Sequence, residues 1–439
     1  MPSLVAAPST GLAGRLVIPG DKSMSHRAII LGGLAIGTTR VRGLLEGADV
    51  LHTADAMRAF GATVTRRDDG VWEITGVGVG GLREAGQVIE MGNSGTAVRL
   101  LMGLVASQAI TTMFTGDASL NRRPMERIMT PLRQMGTRFE AAQGGRLPLS
   151  VIGCGDPLPI TYRTPVPSAQ VKSAILLAAL NTPGTTTVIE REATRDHSER
   201  MLRHFGVPVS SAAGPEGVTI SLTGPADLTS RDVVVPGDIS SAAFPIVAAL
   251  VTAGSDVIIE NVGMNVLRTG IITSLLEMGA DITPLNEREE AGEPVADLHV
   301  KAGRLKGVDI PPERAPSMID EYPVLAVAAA FAEGTTRMTG LHELRVKESD
   351  RLMATVRMLR HAGVTVEEGD DWMAVTGGPV AGGGLVETFM DHRIAMSGLV
   401  LGLGSERGMT IDDDEMIDTS FPGFATLMTA IGAGIGEAG

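Results

Sequence analysis

The sequence predicts an α/β protein built from six copies of one strand–helix unit, and three observations carry that expectation. An apolar, helix-like segment that ends in a small-residue turn and runs into a Thr/Val/Ile-rich strand recurs at 31–43, 101–116, 176–190, 246–261, 326–339 and 398–413. The starts lie roughly 70 to 80 residues apart, longer than the usual solenoid repeat and long enough for a small α/β module. After each comes a second helix-like segment that stops at glycine, at 54–64, 128–139, 199–209, 271–282, 358–366 and 424–435. Finally, Val17-Ile18-Pro19-Gly20-Asp21-Lys22-Ser23 returns as Val234-Val235-Pro236-Gly237-Asp238-Ile239-Ser240, about half a chain later.

The first helix of each copy is apolar nearly all round and should be buried. The second is amphipathic, with Ile128, Leu132 and Met135 at helical spacing, and should cover the outside. The paired Pro-Gly-Asp breaks read as the two strands of a hinge. They divide the chain into a discontinuous first domain, residues 1–19 with 238–439, and a second domain, residues 20–237, of three units each. A chain of 439 residues is of a length that suits two or three domains.

Composition narrows the function. Hydrophobic residues make up 44% but aromatics only 3%, so the core is aliphatic, with the 22 methionines as filler. With 37 Lys and Arg against 51 Asp and Glu, the net charge of −14 speaks against nucleic acid or an anionic membrane surface as partner. Cys154 is the one cysteine and excludes an internal disulfide; its place in Gly153-Cys154-Gly155 marks a turn. No signal-like stretch or apolar run of membrane length is present, so a soluble cytoplasmic protein is expected.

In a chain this acidic, local clusters of cations are informative. Pro19-Gly20-Asp21-Lys22-Ser23-Met24-Ser25-His26-Arg27 joins a strand to a helix, with Ser23 or Ser25 available as cap and two cations beside the helix start. Free N–H groups at the positive end of a helix, next to Lys22 and Arg27, make a seat for a phosphate. It is not a nucleotide P-loop, because Asp21 separates Gly20 from Lys22 and Gly14 is one residue too far upstream. Equivalent helix starts read Gly92-Asn93-Ser94-Gly95-Thr96-Ala97-Val98-Arg99, Pro167-Ser168-Ala169-Gln170-Val171-Lys172, Asp238-Ile239-Ser240-Ser241, Met318-Ile319-Asp320-Glu321-Tyr322 and Asp391-His392-Arg393. Ser240 and Ser241, with no cation near in sequence, read as plain caps.

Three more clusters precede second helices: Asn121-Arg122-Arg123-Pro124, Arg195-Asp196-His197-Ser198-Glu199 and Arg345-Val346-Lys347-Glu348-Ser349-Asp350-Arg351. On one helix Lys347 and Arg351 would share a face, a repulsive i,i+4 pair best explained by an anion between them. No metal-ligand spacing and no nucleophile elbow occur. Many cations, the acids Asp320 and Glu348 and polar helix ends suit acid–base chemistry on small polyanions.

GDKSMSHR, GNSGTAVR, SLNRRPMERIMTPLRQMG, SAQVKSA, ELRVKESDRL and DHRIAMS, in this order, closely resemble the 3-phosphoshikimate 1-carboxyvinyltransferase (EPSP synthase) family over almost the whole chain. Residues 168–172 and 195–199 resemble its second, glyphosate-tolerant class. The resemblance implies two globular domains of three βαβαββ units each, hinged by two chain crossings, with the active site in the cleft between them. It implies transfer of the enolpyruvyl group of phosphoenolpyruvate to the 5-hydroxyl of shikimate 3-phosphate, with no metal or organic cofactor, inhibition by glyphosate, and a monomer in the cytoplasm.

The resemblance further implies that Lys22, Ser23, Arg27, Ser168, Ala169, Gln170, Arg195, Asp320 and Lys347 hold shikimate 3-phosphate. Lys22, Gly95, Arg123, Gln170, Arg351 and Arg393 would hold phosphoenolpyruvate. Asp320, Glu348 and Lys22 would move protons. The chain departs from the family at three places. Ala169 stands where the first class has Ser, and Asn265-Val266-Leu267-Arg268 differs from the second class's usual Asn-x-Thr-Arg. Ser420-Phe421-Pro422 lacks the first class's cation. Gly95 stands where the well-known tolerant enzymes carry Ala. The sister transferase acting on UDP-N-acetylglucosamine usually has a reactive Cys in a mobile loop; Asn121-Arg122-Arg123 occupies the matching place here. A non-catalytic phosphometabolite-binding module would have no use for Asp320 and Glu348.

Overall fold

One sheet pattern recurs through the computed structural model, which describes residues 3–437. Among the described residues there are six four-stranded sheets and one two-stranded pair. Each four-stranded sheet has one parallel edge pair, as where Thr161–Arg163 runs beside Gly184–Glu190. In that sheet Gly184–Glu190 then pairs antiparallel with Gly217–Gly224, which pairs antiparallel with Val209–Gly214. The Thr- and Val-rich strands alternate buried and exposed side chains, as a sheet with one covered face requires.

Helices supply the cover. In unit 2, α1 (Lys22–Leu34), α3 (Gly95–Ala106) and α5 (Ala169–Ala179) are the apolar helices. The amphipathic ones are α2 (Ala48–Ala59), α4 (Glu126–Gln134) and α6 (His197–His204). In unit 1, α7 (Ile239–Val251), α9 (Tyr322–Ala330) and α11 (His392–Gly404) are apolar and buried almost throughout. Their amphipathic counterparts are α8 (Gly270–Glu277), α10 (Arg351–His361) and α12 (Phe424–Ala430). Each unit has its own aliphatic core. No helix is long and apolar enough to cross a membrane among the described residues.

Unit 1 comprises Met1–Pro19, Pro236–Glu289 and Pro294–Gly439; unit 2 comprises Gly20–Val235 and Glu290–Glu293. Pro236 and Gly237 thus fall in unit 1, two residues earlier than the second break suggested. The turn Glu290–Glu293, which the sequence placed in the first domain, belongs to unit 2. Both Pro-Gly-Asp glycines are required by close approach. A Cβ on Gly20 would lie 1.9 Å from the Gly43 carbonyl oxygen, and one on Gly237 would lie 2.6 Å from the Ile18 side chain.

The caps differ from the sequence reading. Asp21, not a serine, caps α1 by accepting from the Met24 N–H at 2.8 Å. Ser25 sits inside the helix, where its hydroxyl bonds Asp21 O and accepts from Leu45 N–H. Asp238 and Asp391 likewise cap α7 and α11. A carboxylate accepts an N–H and also complements the helix dipole, so it outcompetes a neighbouring hydroxyl.

Candidate active site

In unit 2 the starts of α1, α3 and α5 are tied together by side chains. Arg27 is buried on α1 and donates from Nε to Ser198 Oγ at 2.7 Å, from one terminal nitrogen to Ser23 O and from the other to Ser173 Oγ, both at 2.8 Å. A guanidinium has five N–H donors, so one on each terminal nitrogen remains for an anion. Burial lowers the Arg27 pKa to about 10, with Asp21 and Glu199 opposing and the Arg195 cation adding to the effect. Arg195, half-buried in the segment before α6, acts on the buried Arg27 through its charge, and two such cations favour an anion beside them.

Lys22 opens α1 and meets Asp49 at 3.1 Å. Ser168 caps α5, accepting from Val171 N–H, and Ala169 is the first helical residue. Gln170 accepts from Arg99 at 2.9 Å and donates to Thr96 Oγ1 at 3.1 Å, which joins α5 to α3. Arg123 follows a short 3₁₀ turn and donates to Asn93 Oδ1 at 2.8 Å. Gly95 lies against it: a Cβ there would be 3.0 Å from one terminal nitrogen of Arg99 and 3.2 Å from one of Arg123. Unit 2 therefore brings Ser23, Arg27, Gly95, Arg123, Ser168, Ala169 and Gln170 to three linked helix starts, with Lys22 opening α1 and Arg195 in the segment before α6.

Unit 1 gathers the acids. Arg351 is 1% exposed and donates from Nε to Asp391 at 2.8 Å, from one terminal nitrogen to Asp320 Oδ1 at 3.1 Å and from the other to Glu348 at 2.5 Å. Burial works against its charge, but the carboxylates of Asp391, Glu348 and Asp320 outweigh this and raise its pKa, so it is a permanent cation. Burial alone would raise the Asp391 pKa; Arg351 reverses this and holds it below the usual range. Lys347 reaches the same Asp320 oxygen at 3.4 Å. Arg393 donates to Asp320 O at 3.4 Å and lies 3.8 Å from buried Glu321.

Two expectations need correction here. Lys347 and Arg351 are not on one helix, because α10 begins at Arg351 with Asp350 as cap and Lys347 ends a 3₁₀ turn. They still converge, and the anion between them is the Asp320 carboxylate itself. Ser240 and Ser241 are not caps: both lie inside α7 behind the Asp238 cap, and the Ser240 hydroxyl accepts from Arg268 at 2.8 Å and donates to Glu321. Arg268, 30 residues away, also bonds Asp238 at 3.0 Å, a contact invisible in local sequence. Ser420 lies buried beside Phe421, which packs on Phe424 at 5.1 Å between ring centres, so that segment is core.

Sequence reasoning gave no role to Asp49, Ser173 and Glu190, which hold Lys22, Arg27 and Lys172 respectively. Each is an ordinary polar residue inside or beside an apolar segment, and no spacing marks it. No group of three or more His, Cys, Asp or Glu residues is arranged to hold a metal among the described residues.

Residues 6–428 match the family model described as EPSP synthase (3-phosphoshikimate 1-carboxyvinyltransferase). The chain is 60% identical over 434 residues to the 3-phosphoshikimate 1-carboxyvinyltransferase of Parvibaculum lavamentivorans, covering 98% of this chain and 96% of that one. It is 62% identical over 428 residues to the enzyme of that name from Paramagnetospirillum magneticum, covering 97% and 96%. Among solved structures, EPSP synthase from Acinetobacter baumannii superposes with a TM-score of 0.91 at 44% identity over all of both chains. The enolpyruvyl transferase NikO from Streptomyces tendae shares the fold alone, with a TM-score of 0.79 at 18% identity over 100% of this chain and 99% of that one. With a family model matched over 6–428 and relatives about 60% identical over nearly the whole chain, the chain belongs to the EPSP synthase (3-phosphoshikimate 1-carboxyvinyltransferase) family.

Proposed function

We propose that this enzyme transfers the enolpyruvyl group of phosphoenolpyruvate to the 5-hydroxyl of shikimate 3-phosphate, releasing phosphate. The observation that carries the reading is the convergence of Arg351, Lys347, Glu348 and Asp320 in unit 1, with the Arg27–Arg195 phosphate seat in unit 2. Family membership and relatives of about 60% identity support it.

Each group has a task. Arg27, Arg195, Ser23, Ser168, Ala169 and Gln170 hold shikimate 3-phosphate, with Lys22, Asp320 and Lys347. Arg123, Arg351, Arg393, Lys22, Gln170 and the open face at Gly95 hold phosphoenolpyruvate. Asp320 accepts the proton of the 5-hydroxyl as its oxygen bonds to C2 of phosphoenolpyruvate, while Glu348 gives a proton to the methylene carbon. The resulting tetrahedral intermediate has a methyl group. Glu348 takes a proton back from it, the C2–O bond to phosphate breaks, and the double bond reforms. Lys22 supports the proton traffic. The surrounding arginines stabilise the phosphate as it leaves.

On this reading the enzyme works as a cytoplasmic monomer without metal or cofactor and is inhibited by glyphosate. Ala169 and Arg195 align it with the family's second class. The test is phosphate release from phosphoenolpyruvate with either shikimate 3-phosphate or UDP-N-acetylglucosamine as acceptor. Release with shikimate 3-phosphate alone is expected; release only with the sugar nucleotide reassigns the chain to the sister reaction.

A further inference from the structure

The strands Asp281–Glu290 and Glu293–Lys301 belong to a unit 1 sheet, yet the turn that joins them, Glu290–Glu293, is part of unit 2. Ala291 (φ +50°) and Gly292 (φ +83°) both lie in the left-handed region, as a tight two-residue hairpin turn of this hand requires. Alanine rarely adopts that conformation. Here its side chain packs against the unit 2 core, which offsets the cost.

The turn is fastened to α6. Glu293 is 1% exposed, and its carboxylate lies 2.7 Å from Nδ1 of buried His197. Arg200 donates to Gly292 O at 3.0 Å and to Asp196 at 2.8 Å. In this first turn of α6 three consecutive side chains each hold a different element. His197 holds Glu293, Ser198 accepts from Arg27, and Glu199 pairs with buried Lys172 on α5 at 2.8 Å. Lys172 also donates to Thr194 O, which fixes the strand of chain that carries Arg195.

We propose that the turn Glu290–Glu293 is a positioning element of the phosphate seat, with Glu293 as its positioning residue. By holding His197, Glu293 fixes the orientation of the first turn of α6, and so sets Ser198 against the Arg27 guanidinium and keeps Arg195 beside it. Glu293 touches no substrate and moves no proton. Its effect is on how well a phosphate monoester fits the seat, and so on the affinity for the phosphorylated acceptor alone. This rests on the function proposed above for the identity of that acceptor, but the phosphate seat itself is defined by Arg27 and Arg195.

The experiment compares wild type with Glu293→Ala, Glu293→Gln and Arg200→Met. Glu293→Ala should raise KM for shikimate 3-phosphate about tenfold or more, with kcat and KM for phosphoenolpyruvate within about threefold of wild type. Glu293→Gln, which keeps an acceptor for His197, should fall between. Should the alanine variant fail to fold, Arg200→Met loosens the turn from a half-buried position and should move KM in the same direction. An unchanged KM for shikimate 3-phosphate in the folded variants, or an equal loss in all three parameters, overturns the proposal. Calorimetric titration with inorganic phosphate is run in parallel. If wild type does not use shikimate 3-phosphate at all, the function fails, and the proposal is decided by whether the variants bind phosphate more weakly.

Discussion

Arg351 and Asp391 form a buried pair in which the arginine Nε lies 2.8 Å from a carboxylate that also caps α11. The pair sets the rotamer of Arg351, so that its two terminal nitrogens face Asp320 and Glu348. Losing Asp391 leaves the buried Arg351 with two carboxylates instead of three and its Nε–H without an acceptor, and breaking such a buried pair costs about 3 kcal/mol. Asp391→Ala should therefore lower the melting temperature by about 10 °C in calorimetry. It should also raise KM for phosphoenolpyruvate more than KM for shikimate 3-phosphate. A variant with wild-type stability and kinetics would show that Arg351 is held by its other partners alone.

Asp320 is the shared acceptor of Lys347 and Arg351. Asp320→Ala should cut turnover by roughly 10²–10⁴-fold, the usual worth of a positioned general base. Calorimetric binding of shikimate 3-phosphate should stay within about tenfold of wild type, because the proposed phosphate seat, Arg27 with Arg195, is in unit 2. Near-normal turnover would remove Asp320 from the proton-transfer role.

A methyl group at position 95 would sit 3.0 Å from an Arg99 nitrogen and 3.2 Å from an Arg123 nitrogen, tight contacts with the far ends of flexible side chains. Gly95→Ala should thus fold normally while narrowing the space next to Arg123. The glyphosate inhibition constant should rise about tenfold, more than KM for phosphoenolpyruvate, as one added carbon in a closed site allows. Equal inhibition of both proteins would show that this face does not meet the inhibitor.

His26 is fully buried on α1, with Nδ1 2.7 Å from Thr53 Oγ1. Burial depresses its pKa from 6.5 to about 3, with Asp49 opposing the shift and Lys22 and Arg27 adding to it. The unfolded chain therefore binds the proton more readily than the folded one. The stabilisation is fully present above about pH 6.5 and is lost as pH falls toward 3, up to roughly 5 kcal/mol in all. His26→Gln should flatten the acid limb of a urea-denaturation series between pH 6.5 and 4 relative to wild type. Parallel acid limbs would place the pH dependence elsewhere.

The repeat was legible because it rests on short-range signals. Apolar runs such as Leu176–Leu180, a terminal glycine such as Gly136 and strands such as Thr185–Glu190 declare themselves within a few residues. Helix starts were equally legible: Lys22 and Gly95 are the first residues of α1 and α3, and Gln170 and Arg393 the second residues of α5 and α11. What escaped depends on partners far apart in the chain. Glu293 meets His197 across 96 residues, and the acidic stretch before it, Glu287-Arg288-Glu289-Glu290, has the look of a solvated turn. The caps of α1 and α7 escaped for a different reason. Aspartate and serine lie two positions apart there, and only the backbone geometry decides which side chain accepts the N–H.

Addition followed by elimination at unit 1's acids is the central claim, and running the reaction in D₂O tests it most directly. If Glu348 delivers a solvent-derived proton to the methylene carbon and a proton is later removed from the methyl group, deuterium enters the enolpyruvyl methylene of the product. Mass spectrometry of that product should show this incorporation with wild type and none above background with Glu348→Gln. A wild-type product free of deuterium would contradict the account.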